Sequence, residues 1–442
     1  MKKIRLSPAR LIALGFLAVI LVGAGLLTLP IASPDGASFL DALFTSTSAT
    51  CVTGLIVRDT FTGWTTFGQV VILLLIQLGG LGFMTVITLV SFALGKKLGL
   101  YDRKVLMQSA GSITFSGIGP LIRHVVPFSF AFELTGAALL CIRFIPEFGW
   151  GRGIYFALFH AISAFCNAGF DLMGARAPFS SLTAYAGDPL VTLTISALIV
   201  IGGLGFVVWR DLVHCRFRFS KLQLHTRLVL TVTGILLGGG CLLFLLFERN
   251  AALAGLRPGE KALSALFLAV TPRTAGFNTV DMAQLSESGN LLTNVLMLIG
   301  GSPGSTAGGI KTTTVAVLLL STFASGRGST RVHAFRYSID RDTIRQASSI
   351  LLTYLSMSTA AILALCCLDP VPLKAAMFEV NSAIATVGLS LGVTPTLSAP
   401  SHIILILLMY AGRIGGLTFV LLFAQRRSDP PLDRPSGKLL IG

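Results

Sequence analysis

Four short runs in this chain end on a glycine and recur about every 110 residues, as an internal repeat does. They are Val52-Thr53-Gly54, Asn167-Ala168-Gly169, Thr274-Ala275-Gly276 and Thr386-Val387-Gly388. None offers an acid, a base or a strong nucleophile, so the chemistry open to them is that of the peptide carbonyl. Carbonyl oxygens set around one axis replace the hydration shell of a metal ion, and glycine lets the backbone aim successive carbonyls inward. The residues ahead of each glycine repeat too. Phe44, Phe159 and Phe378 stand ten residues before it, and Ser48-Ala49, Ser163-Ala164 and Ser382-Ala383 begin six before; the third unit is looser, with Leu266 and Val270-Thr271 there. Carboxylates follow: Asp59 and Asp281 five residues past their glycines, Asp171 two past. At an outer mouth they would concentrate cations; as loop residues they would cap turns. The two readings are compatible.

A second constellation is Gly300–Thr314, with five glycines, Pro303 and a run of hydroxyls. Each Gly costs a helix about 1 kcal/mol and Pro about 3 kcal/mol relative to Ala, so a continuous helix is not expected. A loop there, at mid-membrane, would block and open a path; its candidate gate residues are Gly304, Ser305, Thr306, Gly308, Gly309 and Lys311, joined by Arg413 from the last apolar stretch. Gly300-Gly301-Ser302-Pro303-Gly304 also fits G-x-S-x-G, and Gly304 to Thr312 approaches a P-loop. The first lacks a strand-to-helix turn with a matching His and acid, and the second carries an extra Ile310 and no preceding strand. Six scattered histidines and no H-E-x-x-H give a membrane-embedded enzyme no catalytic cluster, so no enzyme activity is expected. Seven cysteines without C-x-x-C pairing read as small apolar residues.

These turns need elements to hold them, and the composition says in what solvent. The chain has 442 residues, 53% hydrophobic and only 12% charged, too little polar surface for water. A bilayer crossing takes about 20 apolar residues. Eight stretches qualify: Leu11–Leu29, Phe67–Leu94, Val125–Ile142, Pro189–Trp209, Leu228–Phe247, Leu291–Phe323, Ala347–Leu368 and His402–Ala424. A cleaved signal peptide is the alternative for the first, but its apolar core exceeds the roughly 7–15 residues of a signal peptide. Between spans lie short apolar segments of about 10–12 residues, the length of a re-entrant pore helix. The expected fold is an all-α polytopic membrane protein of four pseudo-symmetric helix–pore-loop–helix repeats around one pore: 11–94, 121–213, 226–323 with the loop 300–314, and 344–424, then a tail, 425–442. Gly79-Gly80-Leu81-Gly82-Phe83 recurs as Gly202-Gly203-Leu204-Gly205-Phe206 and, in part, as Gly415-Gly416-Leu417-Thr418-Phe419; small residues in a span let another backbone approach. Glu133, a charge inside a span, has either a packing or a coupling role. Lys311 and Arg413 either face the vestibule beneath the filter and raise the barrier to cations or lie against loop carbonyls, Arg413 alternatively pairing with Glu133.

The net charge of +15 is unevenly placed. Segments 1–10, 95–124, 210–227, 324–346 and 425–442 hold 23 of 34 Lys/Arg but 6 of 19 Asp/Glu. By the positive-inside rule both termini are cytoplasmic. Nucleic-acid binding is not expected, since no basic run is interleaved with aromatic platforms. The basic loops, Arg327–Arg345 above all, would meet an acidic partner or anionic lipid. A pure receptor or scaffold gives no reason for four glycine turns.

With these residues in view, the chain resembles the superfamily of K⁺ transporters that includes KtrB, TrkH and plant HKT proteins, and within it KtrB. The resemblance rests on Cys51-Val52-Thr53-Gly54-Leu55, Cys166-Asn167-Ala168-Gly169-Phe170, Arg273 to Asp281 and Gly301 to Thr314. It implies K⁺ uptake through a selective pore in the bacterial inner membrane, gated by the intramembrane loop. It also implies a homodimer with one pore per subunit, and a cytoplasmic ring of KtrA-like regulatory subunits that bind the nucleotide. No covalent cofactor is implied; K⁺ is the transported ion and Na⁺ a candidate activator. Gly54 at the first filter position goes with K⁺ selectivity; a Na⁺-selective or K⁺/Na⁺-coupled carrier is the alternative. Ala307 departs from the family's usual third glycine there.

Overall fold

The computed structural model describes residues 8–82, 118–329, 331–416 and 419. The end of the Phe67–Leu94 stretch, the basic segment from 95, residues Leu417 and Thr418, and the tail 425–442 lie outside them. The described residues form fourteen α-helices and one small hairpin.

The first unit comprises α1 (Pro8–Leu27), the short α2 (Phe39–Thr50) and α3 (Thr66–Leu81). The second has α4 (Ile118–Phe148), α5 (Trp150–Phe165), α6 (Pro189–Leu204) and α7 (Phe206–His214). In the third are α8 (Leu224–Phe247), α9 (Pro258–Val270), α10 (Glu287–Leu298) and α11 (Thr312–Gly326). The hairpin of β1 (Val332–Ala334) and β2 (Tyr337–Ile339) leads to the fourth: α12 (Arg341–Leu368), α13 (Leu373–Ile384) and α14 (Ala399–Ile414). Local signals start these helices where they start. Ser38 accepts the Asp41 amide ahead of α2, Ser286 the Gly289 amide ahead of α10, and Asp188 two amides of α6, whose first residue is Pro189. Such caps satisfy donors that no helical carbonyl reaches.

Among the described residues, four helices are long and apolar enough to cross a bilayer: Arg10–Leu27, Val125–Phe148, Leu224–Phe247 and Arg341–Leu368. Each opens one unit. Their outer faces carry exposed Leu21, Val22, Leu134, Ile235, Leu242 and Leu352, the surface a lipid solvent favours. The short helices α2, α5, α9 and α13 have 12, 16, 13 and 12 residues. At about 1.5 Å per residue they cannot cross.

The spans expected to close each unit are not continuous. Pro189–Trp209 is split at Gly205 into α6 and α7, bent by 92°; Leu291–Phe323 is split by the loop between α10 and α11. The reason is local. Gly82, Gly205 and Gly415 end α3, α6 and α14 at φ +83°, +92° and +98° with ψ near extended values, a conformation that only glycine adopts without penalty.

Units join in a closed order. The closing helix of each packs on the short helix of the next: α3 on α5, α6 on α9, α10 on α13, and α14 back on α2. The ring therefore surrounds one axis, on which the ends of the four short helices meet.

Candidate cation pathway

Each short helix ends just before its glycine turn, at Thr50, Phe165, Val270 and Ile384. The turns then share one backbone pattern. Val52, Asn167, Thr274 and Thr386 have φ of +57°, +60°, +71° and +53°, and Gly54, Gly169, Gly276 and Gly388 have +97°, +71°, +81° and +91°. Thr53, Ala168, Ala275 and Val387 between them stay on the ordinary negative side. Alternating hand turns successive peptide planes so that their carbonyls face the same way. Positive φ at β-branched Val and Thr costs about 1–3 kcal/mol each and survives only where the surroundings impose it.

Hydroxyls help impose it. In the first and fourth units Ser48 and Ser382 Oγ accept the amide of Gly54 and of Gly388, both at 3.0 Å. In the second, Ser163 Oγ donates to the Phe170 carbonyl at 2.7 Å. The third unit reaches the same end with its pattern moved by one residue: Thr271 donates to the Phe277 carbonyl. Backbone bonds from Thr53 to Ser48, Ala168 to Ser163 and Val387 to Ser382, each 2.8 Å, fold the turn under its helix.

The four turns lie against one another in cyclic order. A Cβ placed on Gly54 would meet the Ala168 carbonyl oxygen at 2.5 Å, one on Gly169 that of Ala275 at 2.8 Å, one on Gly276 that of Val387 at 2.7 Å, and one on Gly388 that of Thr53 at 2.1 Å. Residues separated by hundreds of positions thus form one collar, with carbonyl oxygens at every junction and all twelve turn residues buried.

Beneath the collar lies the loop between α10 and α11. It is pinned by a parallel bridge, Ile299 to Ile310, and by amides of Ser302 and Thr306 on the carbonyls of Gly203 and Gly202, at 3.0 and 3.3 Å. Gly304 accepts the Phe206 amide at the break between α6 and α7. Ser305 bonds the Ser302 carbonyl inside the loop. Thr306 Oγ1 donates to the Phe165 carbonyl at the end of α5, while Gly308 and Gly309 approach so near Thr386 and Ala385 that a Cβ would lie 2.0 and 3.3 Å from them. Lys311 Nζ donates to the Ala307 and Gly308 carbonyls, 2.6 and 3.4 Å away. Arg413 spans two elements, donating to the Thr306 carbonyl in the loop and the Gly79 carbonyl on α3. It does not pair with Glu133, whose carboxylate accepts instead from Gln77 Nε2 at 3.1 and 3.2 Å.

The glycine echo of the fourth unit begins three residues earlier than its letters suggest. Gly415 ends α14 as Gly82 ends α3 and Gly205 ends α6, so Gly412-Arg413-Ile414-Gly415 is the counterpart of Gly79-Gly80-Leu81-Gly82. A Cβ on Gly79, Gly202 or Gly412 would strike the carbonyl of Thr50, Phe165 or Ile384 at 2.0, 1.9 or 2.1 Å. Arg413 therefore occupies the place of Gly80 and Gly203.

All three candidate mouth carboxylates cap the turn after them: Asp59 accepts the Phe61 amide, Asp171 that of Met173 and Asp281 that of Ala283. Asp59 is 6% exposed and also takes the Thr62 and Phe179 amides, so it is a clasp between two loops. Asp171 is half-buried and Asp281 exposed. Two buried polar residues were given no role in the sequence reading. Glu379 accepts from Ser390, Leu391 and Thr394 behind the fourth turn, and Arg273, 5% exposed, reaches Thr233 on α8. A charge three residues before a collar glycine was the available signal for Arg273; Glu379 lies inside a short helix where nothing marks it.

Comparison with known proteins agrees with this geometry. A family model described as TrkH, cation transport protein, matches residues 13–430. The potassium/sodium uptake protein NtpJ of Enterococcus hirae is 42% identical over 99% of this chain and 98% of its own. The Ktr system potassium uptake protein B of Bacillus subtilis is 42% identical over 100% and 98%, and that of Vibrio alginolyticus 39% over 98% and 94%. Among solved structures, the potassium transporter TrkH from Vibrio parahaemolyticus superposes with a TM-score of 0.74 at 19% identity, covering 96% of this chain and 86% of the other.

Proposed function

Because the chain belongs to the TrkH family of cation transport proteins, we propose that it carries out K⁺ uptake through the collar formed by its four glycine turns. The observation that carries this reading is the cyclic contact of Gly54, Gly169, Gly276 and Gly388, each standing two residues past another residue of positive φ. Such a collar brings backbone carbonyl oxygens together at every junction, which suits a dehydrated monovalent cation. The short helices end toward it, and their negative dipole ends favour a positive charge. The names of the Bacillus and Vibrio relatives support K⁺ as the cargo. That of the Enterococcus relative, which includes sodium, favours a second reading in which Na⁺ is carried or coupled.

Transport on this reading has two states. In the closed one the loop containing Gly304, Ser305, Thr306, Gly308, Gly309 and Lys311 lies across the path, strapped by Arg413. Opening requires the loop to leave the Gly202 and Gly203 carbonyls. The energy to shift it would come from cytoplasmic regulatory subunits that bind nucleotide, and the working unit would be a homodimer in the inner membrane with both termini cytoplasmic.

Rb⁺ and K⁺ flux into proteoliposomes tests the collar. Gly54→Ser adds a Cβ where φ is +97° and the Ala168 carbonyl stands 2.5 Å away. Preference for K⁺ over Na⁺ should drop at least about tenfold, ~1.4 kcal/mol. Unaltered selectivity at wild-type flux would count against the assignment.

A further inference from the structure

Behind the fourth collar turn four buried polar side chains bond in a row. Asn381 of α13 lies one residue before Ser382, whose Oγ accepts the Gly388 amide. Its Nδ2 donates to Asn294 Oδ1 on α10 at 2.9 Å, and its Oδ1 accepts from Ser358 of α12 at 2.6 Å. Asn294 Nδ2 in turn donates to the carbonyl and the Oδ1 of Asn290, both at 3.0 Å. The row thus runs from the closing helix of the third unit, across the short helix of the fourth, to the opening span of the fourth. None of the four residues is more than 5% exposed.

Apolar side chains alone let two helices slide along one another, whereas a buried amide pair allows one register, at a cost in stability. That cost shows at the end of the row, where Asn290 Nδ2 is shut off from water with no acceptor. The register it fixes therefore accounts for the row better than the energy it adds. Only the fourth unit has an amide side chain at this place. Seven residues before the other collar glycines stand Thr47, Ile162 and Ala269, and Thr47 bonds the Leu43 carbonyl within its own helix. The fourth turn is also where position matters most. Its junction with the first is the tightest in the collar, a Cβ on Gly388 lying 2.1 Å from the Thr53 carbonyl oxygen. Gly308 and Gly309 of the loop rest against Thr386 and Ala385, and α10 ends at Leu298, just ahead of that loop. K⁺ and Na⁺ are told apart by how coordinating carbonyls are placed around them. We infer that Asn294 and Asn381 are a positioning pair for ion selectivity, holding the ring-closing turn at one height against the helix that leads into the loop. This rests on the reading of the collar as the ion path.

Rb⁺ uptake into proteoliposomes of the full-length protein, with external Na⁺ as competitor, gives an apparent KM for Rb⁺ and an inhibition constant for Na⁺. Their ratio reports selectivity. A packing defect lowers the maximum rate and leaves that ratio alone; a displaced fourth turn changes the ratio. The proteins to compare are wild type, Asn294→Leu, Asn381→Leu, the double variant and Gly54→Ser, leucine keeping the volume of asparagine without its bonds. Each single leucine variant should lose at least threefold in preference for Rb⁺ over Na⁺. The double variant should lose no more, because all three lack the same bond. If a leucine variant does not purify folded, Asn294→Ser, too short to reach Asn381, takes its place and is judged by the same ratio. A wild-type ratio in the asparagine variants beside an altered one in Gly54→Ser overturns the pair and leaves the collar standing. Losses that add in the double variant overturn it as well, since the two residues then act apart. A wild-type ratio in every protein, Gly54→Ser included, overturns both readings.

Discussion

On the proposed reading, Asp171 is a carboxylate at the pore mouth whose charge tunes cation entry. It stands two residues past Gly169, half-buried, accepting from the Met173 amide and the Ser181 hydroxyl. Burial pushes its carboxyl up to about 7; the Met173 amide offsets part of that, and Asp59 nearby adds to it. The raised value places its charge change within an ordinary working range, so the group is an anion above pH 7 and increasingly neutral below. A negative charge at the mouth attracts cations. Lowering the external pH from 8 to 6 should therefore reduce Rb⁺ uptake at low external cation, by roughly two- to fivefold for one charge worth about 0.5–1 kcal/mol. Asp171→Asn should show the lower flux at both pH values. A variant with the full wild-type pH response would remove Asp171 from the account.

At the scale of elements, the loop between α10 and α11 is the gate on the proposed reading, and its anchors lie on the second and fourth units, with Arg413 tying it on to the first. Gly202 and Gly203 hold its amides, Phe165 takes the Thr306 hydroxyl, and Arg413 crosses from α14 to bind it together with α3. Hydrogen bonds to a charged group contribute about 1.5–3 kcal/mol each. Arg413→Gln should release the loop and raise basal Rb⁺ flux, without any regulatory partner, about tenfold or more. Lys311→Gln frees the Ala307 and Gly308 carbonyls within the loop and should raise it less. Flux and gating unchanged in both proteins would remove these two charges from the gate. The position of Arg413 sharpens the argument: at the equivalent place in the first two units stand glycines, so the charge belongs to the unit that closes the ring.

For the whole molecule, orientation follows from charge and is open to direct test. The basic turn from Arg216 to Lys221 and the loop after the second collar turn are on opposite sides if both termini are cytoplasmic. Ser220 and Ala177 are both exposed. An impermeant maleimide added outside intact cells should label Ala177→Cys above the wild-type background and leave Ser220→Cys at background until the cells are opened. The reverse pattern would invert the topology.

How much of this was legible before folding depends on the distance over which each feature is determined. The apolar stretches, the lipid solvent, the four turns and the candidate collar glycines could be read because periodicity, composition and glycine spacing are local properties of the chain. Where the closing spans break could have been read too, since Gly82 and Gly205 sit in the same five-residue motif, but small residues there also suit close packing and the letters cannot separate the two. Tertiary structure alone assigned Arg413 to the place of Gly80 and Gly203, because backbone conformation at Gly415, not residue identity, sets the register. It also made Asp59 a clasp between two loops, since its partners come from Phe61 and from Phe179 far along the chain. Above all, sequence determined that four carbonyl turns exist; only closure of the ring, with α14 returning to α2, decided that they face one axis. Contacts between residues so far apart depend on how every intervening helix packs, and no local pattern records that.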